Sequence, residues 1–480
     1  MSKPFELGLV LAGAISAGAY SAGVVDFLIE ALDEFEIARS TGRTSDGESW
    51  DGPMHEVVVP VLSGASAGGM TAAIAALQLY QPFQPYKTGA KPSPELNRLY
   101  ASWVDEIDIS SLLDLEDINK GGPLRSVLCS KVLEDIVRRT IQQRPAKKRG
   151  WVGRDGALAL ISTVTNLGGV PYAFSMTGAA AGAAYGMLNH GDDIRFLVQR
   201  GKAVRRDGFR PVDLDPPDNE ALGLLAAAAL ATGAFPLGLA ARPLTRRFAD
   251  LKHSQRVGFE RIIDGQLEFV NVPPLEPTPA GDSDFVAVDG GVIDNEPFEL
   301  ARRYLSNRNT QNPENRDGIK TRYSVLLIDP FPNRVAWPAG ANNDRLSAVL
   351  FPLLSALIDQ ARFKPQELTL AIDRSVFSRH VISPEPVADS EAARALPIHA
   401  ERSAGSAASS TSLIVTMITC SDDGTRRLSC AGISACRRAI RYLTLGAPLL
   451  PARTRSGLCG MCLNGLGDRS SARTAIWSSG

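Results

Sequence analysis

The sequence predicts an α/β fold with a largely parallel central sheet. Short apolar runs alternate with helical patterns through the first 370 residues, as successive βα units require. The runs are dense in Val, Ile and Leu without strict alternation, the pattern of strands buried on both faces. The chain has 480 residues, 44% apolar and 21% charged, enough to bury a substantial core.

In chain order, the expected strands are Glu6–Leu11, Glu56–Leu62, Ala157–Val164, Tyr172–Met176, Phe285–Val288 and Tyr323–Ile328. The expected helices are Ala17–Leu32, Ala67–Tyr80, Pro94–Val104, Leu124–Gln142, Glu220–Thr232, Pro297–Leu305 and Arg345–Arg362. Polar loops are expected at Arg39–Pro53, Gln81–Pro92, Gln199–Pro217 and Ser306–Thr321. No solenoid period repeats. Two apolar stretches imitate targeting segments. Leu7–Val25 carries Glu6 as well as Lys3 at its start and is punctuated by glycine, so it reads as strand, turn and helix rather than as a signal peptide. Ala221–Ala241 is uncharged, but Gly233, Pro236, Gly238 and many alanines make it a buried helix ending near Phe235-Pro236 rather than a span.

Fifty-one basic and 52 acidic side chains leave a net charge of −1. No global field therefore steers the chain to nucleic acid or to an anionic surface. The basic run Lys147-Lys148-Arg149 beside Arg144 reads as a solvated loop. Cys129 is the only cysteine before residue 400, which fits a reducing, cytoplasmic setting. From Glu401 onward the text changes: lysine is absent, ten arginines face four acids, and five of the six cysteines appear. Cys459 and Cys462 form a lone CxxC without the further ligands of a zinc site. The chain thus divides into a folded domain over 5–398 and a tail over 399–480 expected to lack order. The tail is compatible with out-of-frame translation of a GC-rich gene, which sequencing the locus settles.

Three segments carry chemistry. The apolar run Val57–Leu62 leads directly into Ser63-Gly64-Ala65-Ser66-Ala67-Gly68-Gly69 and then a helical pattern. This is G-x-S-x-G in the strand–turn–helix setting of a nucleophile elbow. Gly64 and Gly68 permit the sharp turn, and the N–H of Ala67 is a natural oxyanion donor at a helix start. An incidental serine in a Gly-rich turn is the plainer reading; a phosphate loop would need the Lys-[Ser/Thr] that is missing. Asp289 ends the run Phe285–Val288 and is followed by Gly290 and Gly291. A carboxylate there is a candidate base, or equally a turn residue or helix cap. The N-terminal turn Leu11-Ala12-Gly13-Ala14-Ile15-Ser16-Ala17-Gly18 is small enough to bring main-chain N–H groups close to a reacting centre.

In this order the three segments resemble the patatin-like phospholipases. In that family a glycine-rich oxyanion turn precedes G-x-S-x-G and a distant D-G-[Gly/Ala]. Ala231–Pro236 (ATGAFP) is similar to a further family stretch, and the resemblance covers roughly residues 5 to 330. It implies a three-layer α/β/α fold with a mostly parallel central sheet. It also implies a Ser66–Asp289 dyad without a catalytic histidine, and an oxyanion hole at Gly13, Ala14, Ile15 and Ala67. Catalysis would need neither cofactor nor metal. The implied partner is a lipid or acyl ester, with peripheral membrane contact and no nucleic acid. The first turn departs from the family's G-G-G-x-[Arg/Lys]-G: Ala14 and Ile15 replace glycines and Ala17 the cation. An α/β-hydrolase triad is the alternative, with His380 or His399 as its histidine. A lipid-binding protein without turnover is another.

Overall fold

The computed structural model of the chain describes residues 4–14, 17–87, 90–114, 124–143, 145–153, 155–175, 184–201, 204–254, 256–263, 266–306, 321–330 and 379–383, with isolated helical positions at 349, 353, 356 and 360. Eleven strands are found among them: β1 (Phe5–Leu11), β2 (Val57–Gly64), β3 (Ala157–Ser175), β4 (Ala184–Gln199), β5 (Arg210–Asp213), β6 (Arg242–Arg247), β7 (Gly258–Ile263), β8 (Gln266–Asn271), β9 (Asp282–Asp289), β10 (Tyr323–Ile328) and β11 (Arg379–Ile382). The main helices are α1 (Gly18–Thr41), α2 (Ser66–Gln78), α3 (Lys131–Ile141), α4 (Asn219–Thr232) and α5 (Phe298–Ser306).

A nine-stranded mixed sheet runs β11-β10-β1-β2-β3-β4-β5, and β9 pairs with β3 and carries β6. The pairs β1–β2, β1–β10, β10–β11, β2–β3 and β4–β5 are parallel; β3–β4, β3–β9 and β6–β9 are antiparallel. Every residue of β2 and β10 is buried. Alternate residues feed two cores. Leu9, Leu11, Leu62, Leu158, Leu160 and Leu326 pack with α1, α2 and α4 on one face. Val10, Val61, Ala159, Ile161, Val325 and Leu327 pack with Phe298, Ala301, Tyr304 and Leu305 of α5 on the other. This is the expected layered α/β architecture.

Several boundaries differ from the sequence reading. Ala157–Val164 and Tyr172–Ser175 belong to one 19-residue strand, β3, and Met176 lies outside the described residues. Leu167-Gly168-Gly169 suggests a turn, but it forms a bulge between Thr165 and Val170. The Asn166 side chain accepts from the N–H groups of Gly168 (2.9 Å) and Gly169 (3.1 Å), and Gly169 takes φ +71°, so the extra residues are absorbed without ending the strand. Helix α1 runs past Leu32 into the expected Arg39–Pro53 loop and stops where Gly42 adopts φ 71° and donates to Ala38, a left-handed C-terminal cap. Of Leu124–Gln142 only Lys131–Ile141 is helical. The preceding residues are irregular and are tied to the turn after α4, with Val127 and Leu128 N–H groups donating to the Leu237 and Gly238 carbonyls (both 2.9 Å). Pro94–Val104 shortens to helical turns at Arg98–Tyr100 and Ala101–Glu106. β5 interrupts the expected Gln199–Pro217 loop, and β4, β6, β7, β8 and β11 carried no strand expectation. Arg345–Arg362 falls almost wholly outside the described residues, as does the tail from residue 384. The Lys147–Arg149 loop is not simply solvated: Arg149 is buried, donating from Nε to Asp33 (2.8 Å) and from Nη1 to the Leu79 and Gln81 carbonyls.

Ala221–Ala241 contains the expected helix, but it ends short of Phe235-Pro236, and the residues that follow form a turn. Asp218 caps α4 by accepting from the Ala221 N–H (2.9 Å), the helix ends at Thr232, and its alanines pack against α2. All thirteen residues of α2 are buried. Among the described residues no helix is long and apolar enough to cross a membrane.

Candidate active site

β2 delivers the chain to Ser66 from one side, and β9 delivers Asp289 from the other. β4 occupies one edge of β3 along its whole length. On the opposite edge, β2 pairs parallel up to Gly64↔Ser162, and β9 pairs antiparallel from Val164↔Asp289. The two strands therefore run toward each other along β3, and their carboxyl ends meet two residues apart, ~7 Å at strand rise. Asp289 reaches the carboxyl end of β2 on a strand antiparallel to β3.

At this seam the Ser66 hydroxyl donates to Asp289 Oδ2 at 2.6 Å. Ser66 has φ +51°, a left-handed conformation that costs a non-glycine residue on the order of 1–2 kcal/mol. The strain follows from the path: β2 is extended to Ala65 (φ −126°, ψ 149°), and α2 begins at the next residue, so one residue makes the whole reversal. Close approach sets the neighbours. A Cβ on Gly68 would collide with the backbone carbonyl oxygens of Leu11 and Ala12, because the first turn crosses directly over α2. The Ser66 N–H donates to Thr232 Oγ1 (3.0 Å) at the end of α4. The first bond within this helix runs from the Gly69 N–H to the Ala65 carbonyl. The Ala67 N–H consequently lies in the first turn, where the helix offers no acceptor of its own.

Asp289 is held on every side. Its N–H donates to the Ala234 carbonyl (2.9 Å), its carbonyl accepts from Thr165 Oγ1 (2.8 Å), and Oδ1 accepts from the Gly291 N–H (2.7 Å). Gly290 packs so closely on Thr163 that a Cβ would overlap its carbonyl. Ser66 is 8% exposed and Asp289 2%. Burial pushes the Asp289 carboxyl up to about 7, against the opposing pull of the Ser66 and Gly291 hydrogen bonds. Neither residue bonds to a histidine among the described residues. His55 packs beside Phe35, His190 Nδ1 lies 2.8 Å from the Asn166 carbonyl oxygen, and His380 sits on β11 opposite Leu326. His380 is three strands from β2, ~14 Å across the sheet; His399 lies outside the described residues.

The first turn is only partly what its sequence suggests. The Gly13 N–H, one of the expected oxyanion donors, is bonded to the Asn295 carbonyl (3.0 Å) and is thereby occupied. The turn still abuts the nucleophile: a Cβ on Gly13 would lie 3.1 Å from Ser66 Cβ. Ala14 is buried beside it, and Ile15 lies outside the described residues. With Gly13 engaged, the donors left from the expected set among the described residues are Ala14 and Ala67.

Residues 9–302 match the family described as patatin-like phospholipase. The chain belongs to the patatin-like phospholipase family. Within it, the chain is similar to the uncharacterized protein y4iI of Sinorhizobium fredii, at 34% identity over 427 residues covering 80% of this chain and 58% of that protein. It thus spans somewhat over half the length of that relative. The matched region contains the Gly13 turn, Ser66 and Asp289, the segments that carried the resemblance in the sequence.

Sequence reasoning missed the supports of this patatin-like site. Thr232 lies inside the ATGAFP stretch, yet nothing in that motif announces a bond to the Ser66 N–H. Asn295 ties the Gly13 turn to the Asp289 turn, with its backbone carbonyl on the Gly13 N–H and Nδ2 3.4 Å from the Gly13 carbonyl oxygen. The polar run Asp294-Asn295-Glu296 before Pro297 was the available signal. All three of its side chains are buried, which its charge alone would not suggest.

Proposed function

We propose that this protein is a lipid acyl hydrolase of the phospholipase A or esterase type, working through a Ser66–Asp289 dyad and an acyl-enzyme. The observation that carries the reading is the 2.6 Å hydrogen bond between a strained, helix-initiating serine and a buried aspartate. Such a serine needs a base within hydrogen-bond reach, and a carboxyl raised to about 7 titrates near the working pH, where a general base is most effective.

In the first step Ser66 Oγ attacks the ester carbonyl carbon while its proton passes to Asp289 Oδ2. The carbonyl oxygen becomes an oxyanion, stabilised by the Ala67 N–H and by the main-chain N–H of Ala14. Collapse breaks the ester C–O bond, and the proton held by Asp289 goes to the departing alcohol. In the second step water attacks the acyl-enzyme, again losing its proton to Asp289, and the fatty acid leaves as Ser66 recovers its hydrogen. Neither step calls on a cofactor or metal.

Peripheral contact with a lipid surface is part of the same reading. The segment after α4 passes the site at Gly233 and Ala234 and then turns outward. Leu237 there is 64% exposed, with φ +67°. The segment tied to it exposes Val127 (69%) and Leu124 (71%), with exposed Arg125 between them. Apolar tips beside a cation suit an anionic lipid interface.

A fluorophosphonate probe tests the dyad. Labelling that vanishes in Ser66→Ala, together with a fall of at least ~10³-fold in ester turnover in Ser66→Ala and Asp289→Asn, is the expected result. Turnover in Asp289→Asn equal to wild type would refute the dyad. Absence of labelling and turnover in the wild type would leave a lipid-binding protein.

A further inference from the structure

Directly behind the Asp289 turn lies a buried cluster of six charges: Asp192, Asp193, Asp294, Arg195, Arg246 and Arg256. Arg246 reaches both carboxylate oxygens of Asp192, from Nη1 at 2.6 Å and Nη2 at 2.5 Å. Arg195 pairs with Asp193. Arg256 joins these acids to the site. Its Nε donates to Asp193 Oδ2 (2.7 Å), its Nη2 to the Asp192 carbonyl (2.7 Å), and its Nη1 to Asp294 Oδ2. All three nitrogens of one guanidinium are thus used, two on β4 and one on the turn that follows Asp289.

Asp294 is well placed to transmit this grip. Its N–H donates to the Gly290 carbonyl (2.9 Å), and its own carbonyl accepts from Thr163 Oγ1 (3.1 Å) on β3. The next residue, Asn295, holds the Gly13 turn. The loop that presents Asp289 is therefore pinned to β3 by a neutral bond and to β4 by a charged one. A buried charge cluster is weak evidence for stability, since desolvation offsets its attraction. What it does provide is fixed direction: a planar fork with three fixed acceptors admits one orientation.

We propose that Arg256 is a positioning residue for the active site, locking the 289–295 turn to β4 through Asp294 so that the Asp289 carboxylate stays on the Ser66 hydroxyl. This rests on the dyad reading above. Arg256 touches neither Ser66 nor Asp289, so its removal leaves the chemistry intact and its geometry loose. A misplacement of about 1 Å costs on the order of 100-fold in rate.

The test compares Arg256→Ala, Arg256→Lys and Asp294→Asn with wild type on a soluble p-nitrophenyl ester, with fluorophosphonate labelling and melting curves in parallel. For folded Arg256→Ala the expected result is a ~10–100-fold fall in kcat with KM little changed. Ser66 labelling should slow by a similar factor, with partial recovery on adding guanidinium ion. Arg256→Lys should recover less than guanidinium does, because an ammonium cannot serve three divergent acceptors. Should Arg256→Ala fail to fold, the near-isosteric Asp294→Asn decides, and the same fall in kcat is expected of it. Wild-type kcat per folded molecule in Asp294→Asn and in any folded Arg256 variant, or a change confined to KM, overturns the proposal. Those results alongside Ser66-dependent labelling would overturn this inference alone. Wild-type labelling that persists in Ser66→Ala would overturn the dyad and this proposal with it.

Discussion

Asp289 illustrates how one residue's surroundings set its chemistry. Its carboxylate accepts two hydrogen bonds, which lower a pKa, yet burial outweighs them and raises it to about 7. As the base it must be ionised, so kcat/KM should rise with pH through an apparent pKa near 7, a profile measurable with a soluble ester. The same shift bears on stability. The folded-state value lies above the ordinary 3.8, so between about 4 and about 7 the folded chain keeps a proton that the unfolded chain has released. Stability due to this group therefore falls as pH rises through that window and stays low above it. Asp289→Asn should be more stable than wild type at pH 8, by up to roughly 4 kcal/mol for a shift of about three units, with the advantage fading toward pH 4. Asp26 is also raised to about 7, by burial, but it is common to both proteins and drops out of the difference. Denaturant melts at the two pH values check this, and an inactive variant that is no more stable at pH 8 would contradict the shift.

At the scale of elements, α2 and α4 show what a helix contributes besides its length. α2 is buried all round and starts at the nucleophile, so the strain at Ser66 is held by packing against the sheet, α1 and α4 rather than by local sequence. α4 places Thr232 on the Ser66 N–H at its carboxyl end, and the chain then leaves the site toward Leu237. If this lip meets lipid, Leu237→Ser with Val127→Ser should weaken binding to phosphatidylglycerol vesicles at least ~10-fold. The change removes two apolar side chains, each contributing roughly 1.5–3 kcal/mol when buried. Turnover of a soluble monomeric ester should be unchanged. Vesicle co-sedimentation equal to wild type would remove the lip from the reading.

At the scale of the whole molecule, the sheet decides which residues meet. His380 satisfies the chain order of a Ser–Asp–His triad, but β10 and β1 lie between its strand and β2. His380→Ala should keep esterase activity within about two-fold of wild type, and a loss of ~10³-fold would reinstate the triad. Much of the layered fold was legible in the sequence, because strands buried on both faces betray themselves by apolar density, as Tyr323–Ile328 does to the residue. The long β3–β4 hairpin was not, since Leu167-Gly168-Gly169 has the composition of a turn and only cross-strand pairing turns it into a bulge. By itself the sequence determined that Ser66 stands on a strand–helix elbow and that Asp289 ends a strand before two glycines, because both are local matters of backbone sterics. Only the tertiary structure decided that these two ends abut on one edge of β3, that Gly13 gives its N–H to Asn295, and that Arg256 reaches the turn behind Asp289. Those are contacts across tens to hundreds of residues, fixed by which strands pair and how the layers close, and no local pattern encodes them.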